Sequence, residues 1–169
     1  MVEPLADWVI ERIGQAAELY HRLVMLVAPA GSGKTVALQE VHKRTAAPLV
    51  NVNLELSRGM LDLTSRQRAL QLPRLLAEIV GASAADVVLL DNLEVLFDVS
   101  LKQDPLRLLQ GLSRNKTVVA AWSGSIDGEY MVYATPDHPE YKRYPLRDFL
   151  YVCASKVERK TSGEICGED

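Results

Sequence analysis

Residues 23–35 read LVMLVAPAGSGKT, and this stretch decides the fold. Its first five residues form a continuous apolar run, which predicts a strand buried on both faces. A loop of small residues follows. Gly33, Lys34 and Thr35 then open a segment, 34–43, whose apolar residues recur at helical spacing. Strand, glycine-rich loop and helix in this order are typical of a phosphate-binding turn.

The loop has the residue types that a polyphosphate needs. Gly31 and Gly33 allow successive backbone N–H groups to point inward, and the following helix adds the positive end of its dipole. Lys34 is expected to reach the β and γ phosphates, and the Thr35 hydroxyl to coordinate Mg²⁺. The strict pattern has glycine at position 28, and alanine there is a variant of it. We therefore expect ATP to be bound by Ala28, Pro29, Ala30, Gly31, Ser32, Gly33, Lys34 and Thr35.

A second motif, VVLLDNLEVLF, occupies residues 87–97. Four apolar residues ending in an acid have the form of a Walker B strand, and Asp91 would stand at its carboxyl end beside Thr35. There its carboxylate can hold Mg²⁺, usually through water. The alternative is a turn or helix-capping aspartate.

The residue that activates water is less clearly marked. In proteins with a catalytic glutamate, that acid usually follows the Walker B aspartate directly, but here Asn92 follows and the nearest acid is Glu94. Asparagine can position water but cannot accept its proton. We favour Glu94 if the chain turns sharply after Asp91, and Asn92 if it does not. Glu55 is a weaker candidate.

The apolar run TVVAAW, residues 117–122, ends at Ser123, which is the candidate for contacting the γ-phosphate or the attacking water. We expect Trp122 to be core packing rather than a stacking platform for a base.

Apolar runs and helical periodicities alternate along the chain, which predicts an α/β fold: a three-layer α/β/α sandwich around five parallel strands. A P-loop domain over 1–153 and a polar tail over 154–169 are expected. Pro73 is expected to divide 54–80 into two helices, and Asp137 and Glu140 to cap a short helix. A short extended excursion is expected within 124–134, around Asp127-Gly128. The remaining predicted elements are helices at 5–20 and 104–114 and strands at 49–53 and 149–152.

Composition narrows the class of protein. The 169 residues suit one domain, and a net charge of −3 gives no global attraction to nucleic acid. No apolar run approaches the ~20 residues of a membrane span. With only Cys153 and Cys166, two free thiols in a reducing cytoplasm are expected.

Two groups of arginines could serve a partner. A neighbouring subunit's site could receive Arg107, Arg114 or Arg143, although each reads more simply as a solvated charge. Residues 54–80 form a long insert that carries a cluster of four arginines: Arg58, Arg66, Arg68 and Arg74. The cluster could contact DNA or an acidic partner, or it could form a solvated helical face.

Over residues 23–152 the chain resembles the small P-loop component of type 3 BREX phage-defence systems, the BrxF-like proteins. The specific likeness is in LDNLEVLFD, AAWSG and HPEY. The resemblance implies an AAA-like core without a helical lid domain, acting in a homo-oligomer or with other BREX proteins. Those partners include a methyltransferase, a helicase-like protein and a phosphatase-like protein.

The motifs and the resemblance together predict a Mg²⁺-dependent ATPase acting within such a defence complex, and two other functions remain open. A small-molecule P-loop kinase has this size and loop, but it needs an arginine-rich lid after the fourth strand and a further acid on a nearby strand. A non-hydrolysing, ATP-bound structural switch needs only the binding loop.

Overall fold

Residues 3–153 are described by a computed structural model, and the predicted tail at 154–169 lies outside these described residues, as does Cys166. The helices are α1 Glu3–Ala16, α2 Lys34–Thr45, α3 Val52–Gly59, α4 Ser65–Gly81 and α5 Pro105–Leu112. Two short 3₁₀ helices span Glu94–Phe97 and Val99–Leu101. The strands are β1 Leu23–Ala28, β2 Leu49–Asn51, β3 Val87–Asp91, β4 Thr117–Ser123, β5 Ser125–Asp127, β6 Tyr130–Tyr133, β7 Lys142–Pro145 and β8 Leu150–Cys153.

The central sheet is parallel throughout and has the strand order β2-β3-β4-β1-β8. All six residues of β1 are buried, as an apolar strand between two neighbours requires. Strand β4 lies between β1 and β3, and Ala28 pairs with Ser123 while Asn51 pairs with Asp91. The carboxyl ends of β1, β4 and β3 therefore meet at one edge of the sheet.

Alternate residues of the strands divide between two hydrophobic clusters. Val24 and Leu26 of β1 pack with α1 and α2, whereas Leu23, Met25 and Val27 pack with α3, α4 and α5. Opposite orientation of successive side chains follows from the two-residue period of a strand. The result is a mixed α/β fold with a five-stranded parallel sheet, consistent with the AAA-like P-loop class.

The connection from β4 to β8 is a three-stranded antiparallel sheet, β5-β6-β7, where a helix is the usual crossover. Strands β5 and β6 account for the extended excursion expected around Asp127-Gly128, and the turn between them is Gly128-Glu129, with Gly128 at φ +62°. Strand β7, KRYP, was not predicted because its charges and proline hide the pattern. It is held in part by Arg143, whose guanidinium lies over the Tyr130 ring.

The prediction that Pro73 divides two helices is wrong, because α4 runs from Ser65 through Pro73 to Gly81. The break between α3 and α4 falls earlier, where Thr64 and Gln67 form a reciprocal capping box. Proline has no N–H, so the Ala69 carbonyl lacks its usual donor four residues ahead. The Gln103 amide supplies that donor at 2.8 Å, which explains how the helix continues.

Three smaller expectations are also corrected. The strand at 49–53 ends at Asn51, whose side chain accepts from the Leu54 amide and starts α3. Asp137 and Glu140 cap no helix: Asp137 accepts from the Thr135 hydroxyl, and a tight turn leads straight into β7. Cys153 is disulfide-bonded rather than a free thiol.

Across residues 3–153, no helix is both long and apolar enough to cross a bilayer.

The Gln103–Ala69 bond gives a testable coupling. Gln103→Ala should destabilise the protein by about 1–3 kcal/mol, the cost of an unsatisfied carbonyl. In a Pro73→Ala background the helix regains its own donor to Ala69, so the same substitution should cost less. Urea unfolding of the four proteins measures this double-mutant cycle. Effects that add within about 0.3–0.5 kcal/mol would show that Gln103 does not compensate for the proline.

Candidate functional site

The glycine-rich loop connects buried β1 to the first turn of α2. Gly31 and Gly33 have φ values of +79° and +94°, which glycine adopts without the penalty paid by other residues. Ala28 ends β1 in extended backbone and is 2% exposed. Extended backbone suits any L-residue, and this accounts for alanine at the position where the strict pattern has glycine. The loop has the geometry of an anion nest over a helix N-terminus.

Lys34 is buried and bends back over its own loop. Its ammonium donates to the carbonyls of Ala28 at 3.1 Å and Pro29 at 3.0 Å. Burial lowers the pKa of Lys34, while the negative charges of Glu94 and Asp91 act in the opposite direction. A phosphate entering the loop would replace the two carbonyls as the partner of this ammonium.

The two sequence motifs meet in one hydrogen bond. The Thr35 hydroxyl donates to Asp91 Oδ2 at 2.6 Å, across 56 positions of sequence. Asp91 is 6% exposed, and its other oxygen accepts from the Asn92 amide at 2.9 Å.

These donors fit Mg²⁺, because the Thr35 hydroxyl and the Asp91 carboxylate offer the hard oxygen ligands that this ion prefers. Among the described residues, no cluster of three or more His, Cys, Asp or Glu side chains could hold a metal ion. The protein would thus supply these two oxygens, and phosphate and water would complete the shell, as is usual for Mg²⁺.

The chain turns sharply after Asp91. Asn92 has φ +56°, in the left-handed region, and Glu94 then begins the first 3₁₀ helix. This turn brings the Glu94 carboxylate to Ser123 at the end of β4, where the Ser123 hydroxyl donates to it at 3.0 Å. The structure thus brings Glu94, Ser123 and Lys34 together, while Asn92 contributes its backbone to the turn.

Two residues that sequence reasoning missed hold this arrangement. Asn53 lies in the first turn of α3, just after β2. Its backbone amide donates to the Asn92 carbonyl at 3.0 Å, and its side-chain oxygen accepts from the Val95 amide at 2.9 Å. Gly124 donates its amide to the Ala28 carbonyl, and a Cβ on it would lie 2.0 Å from the Val132 carbonyl oxygen. Both residues follow the carboxyl end of a strand, and a polar or small residue at that position could have marked them in the sequence.

Other sequence candidates lie away from the loop. Glu55 is on α3, paired with Arg58 at 3.5 Å. Arg114 lies over the Tyr20 ring, and Arg143 over Tyr130. Arg107 is exposed in the first turns of α5.

Trp122 is core packing, as expected. It is 1% exposed and makes edge contacts with Phe97, Tyr133 and Tyr144. Tyr133 stacks on Phe97 and lies within the field of Glu94. Burial, with the charges of Glu140 and Glu94, raises the pKa of Tyr133 to about 12, so this phenol is neutral at physiological pH.

No protein-family model matches the chain, and no curated protein does. Among solved structures, C. elegans PCH-2 is similar over 90% of this chain, at 13% identity and a TM-score of 0.39. The chain spans 41% of that chain. So weak a likeness carries no argument about activity, and the functional case depends on the geometry of the site.

Proposed function

We propose that this chain is a Mg²⁺-dependent ATPase of the P-loop class. The observation that carries the proposal is the hydrogen bond from Thr35 to Asp91, which unites the binding loop with the acid of a neighbouring strand. The glycine-rich loop and the Walker B strand are separate motifs in the sequence, and each brings an oxygen suited to Mg²⁺ to the same place. The two hydrophobic clusters on opposite sides of the sheet support a three-layer α/β/α sandwich as its scaffold.

The loop would bind the triphosphate. The backbone amides around Gly31 and Gly33 and the N-terminus of α2 favour negative charge. Lys34 would leave the Ala28 and Pro29 carbonyls and place its charge between the outer phosphates. Burial lowers the pKa of Lys34, and the negative charges of Glu94 and Asp91 oppose that shift and favour the ammonium form.

Thr35 and Asp91 would hold the metal ion. Bound Mg²⁺ supplies neutralisation of the charge that develops on the phosphates during transfer. Asp91 is held for this role by the Asn92 amide on one oxygen and Thr35 on the other.

Glu94 is our proposed general base. Its carboxylate would take a proton from the attacking water, and Ser123 would keep that carboxylate at the end of β4. The left-handed turn at Asn92 allows Glu94, three residues beyond Asp91, to reach the end of β4. Asn53 fixes the turn through the Val95 amide, so it acts as a positioning residue.

The segments LDNLEVLFD, AAWSG and HPEY resemble those of BrxF-like proteins. This resemblance supports the proposal that the chain acts within a phage-defence complex. We propose that a second copy of the chain, or another protein of that system, closes the nucleotide site. Turnover of the isolated chain would then be slow.

Lys34→Ala should weaken ATP binding by about tenfold to a hundredfold, the value of one or more charge-assisted hydrogen bonds. Isothermal titration with Mg-ATP measures the affinity. Lys43→Ala, on the exposed face of the same helix, is the matched control and should bind like the parent. Equal affinity of the Lys34 variant and the parent would remove Lys34 from the site.

Glu94→Gln should keep the parent's ATP affinity and slow hydrolysis by at least roughly tenfold, because a glutamine side chain cannot accept the proton of the attacking water. Glu55→Gln, an exposed acid paired with Arg58, is the control and should turn over normally. The rate is followed by phosphate release at several protein concentrations, with and without double-stranded DNA.

Normal turnover by the Glu94 variant would leave Asn92, Glu55 or a partner's residue to orient water. ATP binding without turnover under every condition would instead identify a non-hydrolysing switch.

A further inference from the structure

The arginine cluster of the long insert is not uniform. Three of its members are engaged by their own neighbourhood: Arg58 pairs with Glu55, Arg74 pairs with Glu78 at 2.8 Å, and Arg68 donates to the Leu63 carbonyl. Arg66 differs from them. Among the described residues, no carboxylate lies within 4.0 Å of its guanidinium.

Arg66 lines a cleft between the first turns of α4 and the second 3₁₀ helix. The cleft has a volume of 520 Å³ and is lined by Ser65, Arg66, Ala69, Leu70, Ser100 and Lys102. Both charged residues in this lining are cations. Lys102, like Arg66, has no described carboxylate within 4.0 Å. The lining of this cleft therefore carries two positive charges and no negative one, while Asp98 lines a neighbouring cleft that shares Ser65 and Ser100 with it.

The same cleft exposes aliphatic side chains. Leu70, one turn beyond Arg66 on α4, lines the cleft and is 72% exposed. Val99 is not in the lining but precedes Ser100, which is, and it is 59% exposed. A second cleft of 240 Å³ shares Ser65 and Ser100 with the first and adds Leu61, which is 71% exposed. Exposed aliphatic residues that form one patch with a polar rim are typical of interaction sites.

The frame of the cleft is fixed in advance. Gln103 donates to both the Ala69 and the Leu101 carbonyls at 2.8 Å, tying the second 3₁₀ helix to α4. Lys102 has φ 54°, a conformation that glycine or asparagine adopts more cheaply. Lys102 places a positive charge in the lining of the cleft, beside Leu70.

We propose that this cleft docks an acidic, amphipathic segment of a partner protein. An apolar side chain of the segment would pack on Leu70 and Val99, and its carboxylates would pair with Arg66 and Lys102. Nucleic acid fits less well, because the cleft offers two cations and no aromatic ring on which a base could stack. The proposal goes beyond nucleotide binding and does not depend on it.

The test selects binders from a displayed library of short random peptides, without nucleotide. We expect the enriched peptides to place Asp or Glu beside Leu or Phe. Arg66→Glu with Lys102→Glu should weaken a selected peptide by about tenfold or more, since two exposed attractions become repulsions. Leu70→Gln should also weaken it.

Arg107→Glu, an exposed arginine on α5, and Leu54→Gln, an exposed leucine on α3, are the matched controls and should bind like the parent. Circular dichroism on every variant confirms that it folds. Peptides without acidic residues, or equal binding by the Arg66/Lys102 variant, would overturn the proposal. Binding of a single-stranded oligonucleotide that requires Arg66 and Lys102 would overturn it in favour of nucleic acid. Because no turnover is measured, failure here leaves the proposed ATPase untouched.

Discussion

The hydrogen bond between the Thr35 hydroxyl and the Asp91 carboxylate is the constraint on which the site depends. It spans 2.6 Å between a residue in the first turn of α2 and the last residue of β3. The bond can form only if β4 lies between β1 and β3 and all three strands end at one edge. Parallel pairing of β4 with both β1 and β3 meets that condition, and the apolar sequences of the three strands suit their burial on both faces.

A second set of contacts extends this geometry toward reaction chemistry. The left-handed residue Asn92 reverses the chain, Asn53 secures the reversal from the end of β2, and Ser123 holds Glu94 from the end of β4. Three neighbouring strand ends therefore fix one carboxylate near the binding loop. Lys34 extends back over the same loop and donates to the Ala28 and Pro29 carbonyls.

The loop, the buried strands and the meeting of Thr35 with Asp91 could be predicted from the sequence, because apolar periodicity and glycine spacing are local signals. The position of Glu94 could be stated only as a condition on the turn, since the turn at Asn92 is bonded to Asn53 of α3, which is distant in sequence. The prediction at Pro73 was wrong for the same kind of reason. The hydrogen bond that the proline removes from α4 is replaced by one from Gln103, which is distant in sequence. Strand β7 carries no apolar alternation and forms through its pairing with β6.

The central claim is that Thr35 and Asp91 form a Mg²⁺ site for a bound nucleotide. The most direct measurement is ATP affinity, with Mg²⁺ and with a chelator, for the parent and for Asp91→Asn. We expect Mg²⁺ to tighten ATP binding to the parent and to give little or no gain in affinity in the variant. Both proteins should have similar affinity without metal, because the loop and Lys34 are unchanged. A full Mg²⁺-dependent gain in Asp91→Asn would contradict the claim.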